Sequence, residues 1–126
     1  MGKTRFVTIV YRIAAVYGLL SLLPLYFMAD RVGQDAPPSL SHLEFYYGFI
    51  GLALLWQVVF LLIASDPARY RRLMPLTILE KYVFSIPVFI LYFLGRAAAP
   101  IVMSAVMDAV LGILFIAAYL RSASTI

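Results

Sequence analysis

Four long apolar stretches, separated by short polar segments, dominate the pattern of hydrophobic and polar positions. They run from about 7 to 28, 45 to 64, 78 to 94 and 101 to 120. A helix rises 1.5 Å per residue, so a bilayer core about 30 Å thick needs about 20 apolar residues. The pattern therefore predicts an all-α integral membrane protein: a single domain, residues 1–126, of four transmembrane helices.

Turn and capping residues predict where these helices begin and end. Residues 41–44 and 77–80 each read as a capping box, in which a hydroxyl and a Glu three positions later satisfy free amide donors. Residues 67–74 are expected to form a short interfacial helix, and Pro87 to kink the third span. Because all the connections are short, successive helices should be antiparallel neighbours in an up-down-up-down bundle.

The positive charges predict the orientation of the bundle. Eight of the ten Lys and Arg residues belong to one side: Lys3, Arg5, Arg12, Arg69, Arg71, Arg72, Lys81 and Arg121. The other side holds Arg31 and Arg96. Because Lys and Arg near span ends resist translocation, both termini are expected to be cytoplasmic.

Composition narrows the classes of function. Hydrophobic residues make up 64% of the chain, against about 45–50% in soluble proteins. The excess of basic over acidic residues lies beside the apolar spans, where it orients the helices in the membrane rather than binding nucleic acid. The chain has no cysteine and one histidine, His42. We therefore expect no metal site, no cofactor and no nucleic-acid partner.

Asp108 is the ionisable residue that lies deepest in an apolar span. It lies seven residues inside the fourth span, about 10 Å from the outer end, and shares a helical stripe with Gly112 and Phe115. A charged side chain at the bilayer centre costs at least about 2.5–3.5 kcal/mol, so Asp108 should face the bundle interior and have a polar partner. It is either a functional acid or a carboxyl bonded to a neighbouring helix for packing.

A pocket open to the outer leaflet is the second candidate. Glu44, Tyr47, Tyr92 and Arg96 lie near the predicted outer helix ends, at about the depth of Asp108. Arg96, Tyr92 and Glu44 are the leading candidates for the partner of its carboxyl. The alternative is that Arg96 extends to the interface while the tyrosines form an aromatic belt.

Two further sets of charges belong to the cytoplasmic side. Arg12 and Glu80 lie at similar depth in the first and third spans, so a salt bridge between them would lower the cost of burying either. Arg69, Arg71 and Arg72 are predicted to contact anionic lipid head groups.

Four short motifs carry a resemblance to known proteins: the run EFYYGFIGLALLWQ from Glu44 to Gln57, DPARYR at 66–71, LEK at 79–81 and the pair Gly95-Arg96. In these motifs the chain resembles the DoxX-like group of small bacterial four-helix membrane proteins. It covers roughly residues 42–97. It implies a bacterial inner-membrane protein, and no particular reaction.

These observations favour a membrane-embedded binding protein or an accessory subunit of a larger membrane complex, which could hold a lipid-like or quinone-like ligand. The partners are then membrane lipids and either a helix-packing subunit or a second copy of the chain. The alternatives use Asp108: a small enzyme, such as a lipid isomerase or quinone-linked oxidoreductase, or a proton-coupled transporter.

Overall fold

The computed structural model describes residues 2–35 and 40–122, and the regular elements in this part of the chain are helices. They are α1 (Gly2–Leu22), a 3₁₀ segment (Leu23–Phe27), α2 (Ala29–Asp35), α3 (Leu43–Ser65), a second 3₁₀ segment (Arg71–Leu73), α4 (Met74–Phe93) and α5 (Ala99–Ser122).

Four of the helical stretches are long and apolar enough to cross a membrane. They are Thr4–Phe27, Leu43–Ser65, Arg71–Phe93 and Ala99–Ser122, with 23 or 24 residues each. The predicted all-α membrane bundle is therefore confirmed. Each span runs past its predicted limits at one end or both, because an apolar run marks only the part of a helix inside the hydrocarbon.

Side-chain contacts show that the first two spans run in opposite directions. At the end of the bundle where α1 begins and α5 finishes, hereafter the terminal end, the Thr8 hydroxyl donates to the Ala64 carbonyl oxygen at 3.0 Å. At the opposite or distal end, the Tyr46 hydroxyl donates to the Leu25 carbonyl oxygen at 2.6 Å. Residues far apart in sequence thus meet at matching depths, as an up-down-up-down bundle requires.

The four long helices do not pack equally on one another. α1 packs along both α3 and α5, and α4 packs along α5. By contrast, α3 and α4 meet over a short stretch that includes the stacked rings of Phe49 and Phe84, whose centroids are 5.9 Å apart. The bundle is consequently most open between α3 and α4.

The buried core lies mainly in the terminal half of the bundle. The ring of Tyr11 stacks on Phe115 at 4.2 Å between centroids, and Phe60 packs edge-on against both rings. Towards the distal end, side chains on the same helix faces become exposed, as with Tyr92 on α4 and Ile101 on α5. The packing therefore tightens towards the terminal end.

The two predicted capping boxes are not formed. α3 begins at Leu43 after His42, whose side chain makes no capping bond, and the Glu44 carboxylate instead lies 3.2 Å from the His42 ring nitrogen. Thr77 lies inside α4, where its hydroxyl donates to the Met74 carbonyl oxygen at 2.7 Å. α4 begins one turn earlier than expected because Pro75 occupies its first turn, where no amide donor is needed.

The segment before α4 is a turn rather than the predicted interfacial helix. Asp66 Oδ1 accepts a hydrogen bond from the Arg69 amide at 3.3 Å, and the backbone then passes directly into the 3₁₀ segment.

α4 continues through Pro87 without interruption. Gly95, with φ of +72°, follows the end of α4 in the left-handed conformation that glycine adopts without steric cost.

Candidate functional site

Three ionisable side chains come together inside the spans, hereafter the charge cluster: Glu80, Lys81 and Asp108. The Lys81 ammonium Nζ lies 3.4 Å from Asp108 Oδ1 and 3.8 Å from Glu80 Oε1. The lysine side chain is 5% exposed, whereas those of Glu80 and Asp108 are 16% and 20% exposed. A buried cation is thus held by two carboxylates that each keep a small accessible edge.

Aromatic rings form the wall of the site on the terminal side. Lys81 Nζ lies 5.0 Å from the ring centroid of Phe60 and 5.9 Å from that of Phe115. The negative face of an aromatic ring attracts a cation within about 6 Å, and the attraction grows when water is excluded. The rings therefore support the ammonium group where the carboxylates do not reach.

One helical turn closer to the terminal end, two buried hydroxyl groups pair with each other. Tyr11 and Thr77 are both completely buried, and their hydroxyl oxygens lie 2.7 Å apart. Since the Thr77 hydroxyl donates to the backbone of Met74, the Tyr11 hydroxyl is the donor in this bond. This pair links α1 to α4 on the terminal side of the charge cluster.

Helix periodicity explains why Lys81 points inward. The buried positions of α4 are Met74, Thr77, Lys81, Ser85 and Val88, which recur every three or four residues and form one stripe. Facing them, α5 buries Ala105, Leu111, Gly112, Phe115 and Ala118 around Asp108. A lysine in that stripe has no route to water, so it needs a counter-charge from the facing helix.

A close contact between α4 and α5 sets their relative position. The Tyr82 ring lies against Gly112, where a Cβ would come within 2.7 Å of a ring carbon, and its hydroxyl donates to the Ala109 carbonyl oxygen at 3.1 Å. The absence of a side chain at Gly112 is what permits this approach. At Gly48, in α3, an added Cβ would meet no atom of residues 2–35 and 40–122 within 4 Å, so none of the described helices packs closely on this glycine.

Two buried polar atoms near the middle of the spans have no hydrogen-bond partner among the described residues. They are Gln57 Oε1 on α3 and Ser85 Oγ on α4, one turn beyond Lys81. The Gln57 amide nitrogen is satisfied, because it donates to the Ala53 carbonyl oxygen at 2.8 Å. The centre of the bundle therefore contains two buried polar atoms that the described residues leave without a hydrogen bond.

The partner of Asp108 differs from the ones that the sequence favoured. Its side chain meets Lys81, while the four residues of the predicted outer pocket lie elsewhere as exposed side chains. Tyr47 stacks on Tyr26 at 5.9 Å, and Tyr92 lies beside Phe93. The structure does not bring Glu44 or Arg96 to Asp108.

Lys81 could have been found by counting along the α4–α5 hairpin. Gly95 marks its turn, with Lys81 fourteen residues before it and Asp108 thirteen after it. Residues equidistant from the turn of an antiparallel hairpin lie at similar depth. Assigning Lys81 to the cytoplasmic side and Asp108 to the outer side concealed this match.

The expected Arg12–Glu80 salt bridge is replaced by the Glu80–Lys81 contact. Arg12 directly follows Tyr11, which points to the core, and one residue turns a helix by about 100°. Arg12 therefore lies on the outer face of α1, where it is exposed and forms no ion pair within residues 2–35 and 40–122.

Of the three loop arginines, Arg71 turns inward and clamps the end of α5. Its Nε donates to the Ser122 hydroxyl at 2.8 Å and its Nη2 to the Tyr119 carbonyl oxygen at 3.0 Å, while the guanidinium lies 3.9 Å from the Tyr119 ring centroid. Arg69 packs beside Tyr70 at 5.4 Å, and Arg72 is exposed. Only Arg69 and Arg72 thus have guanidinium groups placed for the predicted lipid contacts.

Comparison with known proteins identifies no relative of the chain. No protein-family model matches the chain, and no curated protein or solved structure matches it significantly. The resemblance to the DoxX-like group stays a prediction.

Proposed function

We propose that the chain is a membrane-embedded binding protein or accessory subunit in which the charge cluster holds a polar group of a lipid-like or quinone-like ligand, or of a partner helix. The observation that carries this proposal is the placement of Glu80, Lys81 and Asp108 together within the spans. Ionisable groups at such depth are expensive to bury, so a binding role is their default interpretation.

The cluster has hydrogen-bonding capacity beyond what its own contacts use. An ammonium carries three donors and a carboxylate accepts through two oxygens, whereas among the described residues each carboxylate contacts Lys81 through one oxygen. The partial exposure of Glu80 and Asp108 leaves the remaining oxygens an accessible edge. A hydroxyl or amide donor from a ligand or partner can bind there, and Lys81 can support a carbonyl oxygen.

The open side between α3 and α4 supports the same proposal. Glu80 precedes Lys81 on α4, and Phe84, one turn further, stacks on Phe49 of α3. Because α3 and α4 meet over only a short stretch, we infer that a molecule in the lipid approaches the cluster from this side. An amphipathic molecule or a helix from a partner subunit would bury the apolar surface here as it binds.

A proton-coupled transporter is the second candidate, and the charge cluster is also the observation that favours it. Carboxylates next to a buried lysine can exchange protons within the spans. The Ser85 hydroxyl one turn away, which has no hydrogen-bond partner among the described residues, lengthens this polar path. An enzyme using Asp108 as acid or base would need the same groups and a bound substrate.

The bacterial inner membrane, with both termini in the cytoplasm, is the location that we propose. The support is the charge asymmetry, since Arg5, Arg69, Arg72 and Arg121 lie at the terminal end and Arg31 and Arg96 at the distal end.

Co-purification of the wild-type chain and two variants tests the binding role. Asp108→Asn keeps the side-chain volume and removes the charge, whereas Asp66→Asn makes the same change in an exposed turn. After extraction into native nanodiscs, mass spectrometry should find a non-bulk lipid, quinone or partner chain with wild type and Asp66→Asn but depleted with Asp108→Asn. Equal retention by all three proteins, or no retained component with any, would contradict the proposal.

A further inference from the structure

We propose that the outer face of α1 carries a binding site for one anionic phospholipid, with Arg12 as the main ligand of the phosphate. This site is separate from the charge cluster and does not depend on its function. The site includes a shallow apolar groove of about 370 Å³ beside the Arg12 side chain, lined by Arg12, Ile13, Val16 and Tyr17, hereafter the Arg12 groove.

The first argument is the uncompensated charge of Arg12. The acid that the sequence offered it, Glu80, lies against Lys81 instead, and Arg12 has no carboxylate within ion-pair distance in the described part of the chain. Arg12 is eight residues from the start of its span at Thr4, which places its Cα about 12 Å along the helix. A guanidinium group without a counter-charge at this depth must bind an anion or extend to the membrane interface.

Helix geometry gives the side chain that route. The Cα–Cβ bonds of a helix tilt towards its N-terminus, and the N-terminus of α1 is at the terminal end. Arg12 is therefore directed towards the nearer membrane surface, where phosphate groups lie. Its stem can cover apolar surface while its guanidinium binds a phosphate with two parallel hydrogen bonds.

Arg5 supplies a second cation on the same face. It lies two helical turns, about 10.5 Å, before Arg12 and is exposed. Because Arg12 is directed towards Arg5 along the helix, a phosphate bound by Arg12 would also be attracted by the charge of Arg5. Neither arginine has an acidic partner among the described residues.

The surface beyond Arg12 fits an acyl chain. Ile13, Val16 and Leu20 follow at helical spacing towards the distal end and are 58%, 52% and 72% exposed. This row extends from the groove into the hydrocarbon, as an acyl chain does from its head group. Charge at the surface and apolar contact below it together favour a phospholipid over a soluble anion.

Spin-labelled lipids in reconstituted bilayers can measure this preference. Wild-type protein should hold phosphatidylglycerol more tightly than phosphatidylcholine in the motionally restricted lipid fraction. Arg12→Gln should reduce that preference about fivefold, the effect of one basic residue at the surface. Arg12→Lys should retain most of it, and Arg96→Gln, which alters an exposed arginine at the distal end, should reduce it less than Arg12→Gln does.

Ile13→Trp provides a second probe that keeps both arginines but fills the groove, and it should also reduce the preference. Circular dichroism checks that each variant keeps its helix content. An unchanged preference in both Arg12→Gln and Ile13→Trp would overturn the proposal. So would an equal loss with Arg96→Gln, or a change in particle mass with Arg12→Gln, since that would assign Arg12 to contact with a second copy of the chain.

Discussion

Removing the buried cation should destabilise the bundle more than removing either of its counter-charges. In Lys81→Met, the apolar side chain fills the same space between Phe60 and Phe115 but leaves two carboxylates 3.4 and 3.8 Å from the former ammonium position with no cation. In Asp108→Leu, by contrast, Lys81 keeps Glu80 as a counter-charge.

The geometry sets the expected size of each effect. Breaking a buried ion pair by removing one partner costs about 3–5 kcal/mol. Because the carboxylates are 16% and 20% exposed, we expect the lower end, about 3 kcal/mol, for Lys81→Met. Asp108→Leu removes one charged hydrogen bond, for which about 1.5–3 kcal/mol is typical.

The double variant Lys81→Met/Asp108→Leu separates pairing from packing. If the two charges interact as the distance indicates, the double variant should lose less stability than the sum of the single variants, by about 1–3 kcal/mol. Glu80 remains in every variant, so the rescue should be partial.

Trp56 gives a convenient measurement of unfolding. It is the only tryptophan of the chain, and it is partly buried against the core. Its fluorescence during unfolding in a mixed-micelle titration should report the stability of each variant. Strict additivity of the two substitutions, or a neutral Lys81→Met, would show that the charge cluster does not hold these helices together.

Three further predictions follow from other contacts. Gly112→Ala should lower the stability of the bundle by about 1–3 kcal/mol in the same titration, because its Cβ would overlap a tyrosine ring of α4, while Gly48→Ala should be neutral. Arg71→Gln should lower it by about 1.5–3 kcal/mol through loss of the clamp on α5, and no change would refute that role. The chain has no cysteine, so a single cysteine introduced at one position can serve as a label. A cysteine in place of His42 should react with an impermeant maleimide added from the outside, whereas one in the 66–70 turn should react only after permeabilisation. The reverse pattern would invert the orientation.

The number, type and approximate limits of the spans were determined by the sequence alone. Transfer of apolar side chains from water to lipid depends on composition over about 20 residues, whatever the neighbouring helices are. The sequence also predicted that successive helices are antiparallel neighbours. A connection as short as residues 94–98 cannot carry the next helix to a distant position.

Helix ends were predicted less well, because single polar side chains decide them. The 77–80 pattern satisfies a local rule, yet α4 begins earlier with Pro75 in its first turn. Thr77 therefore lies inside the helix, and its hydroxyl pairs with Tyr11 of another helix. The 41–44 pattern was also wrong, here for a local reason, since the Glu44 carboxylate lies against the His42 ring two residues before it.

Counting from the hairpin turn places Lys81 and Asp108 at similar depth, but the tertiary structure decided which charged residues pair. The depths of Arg12, Glu80, Lys81 and Asp108 follow roughly from the sequence, but a pair also needs two helices to be rotated so that the side chains face each other. That rotation is set by close packing, such as the contact of Tyr82 with Gly112, which aims Lys81 at Asp108. Arg12 faces outward for the same reason: its neighbour Tyr11 occupies the core.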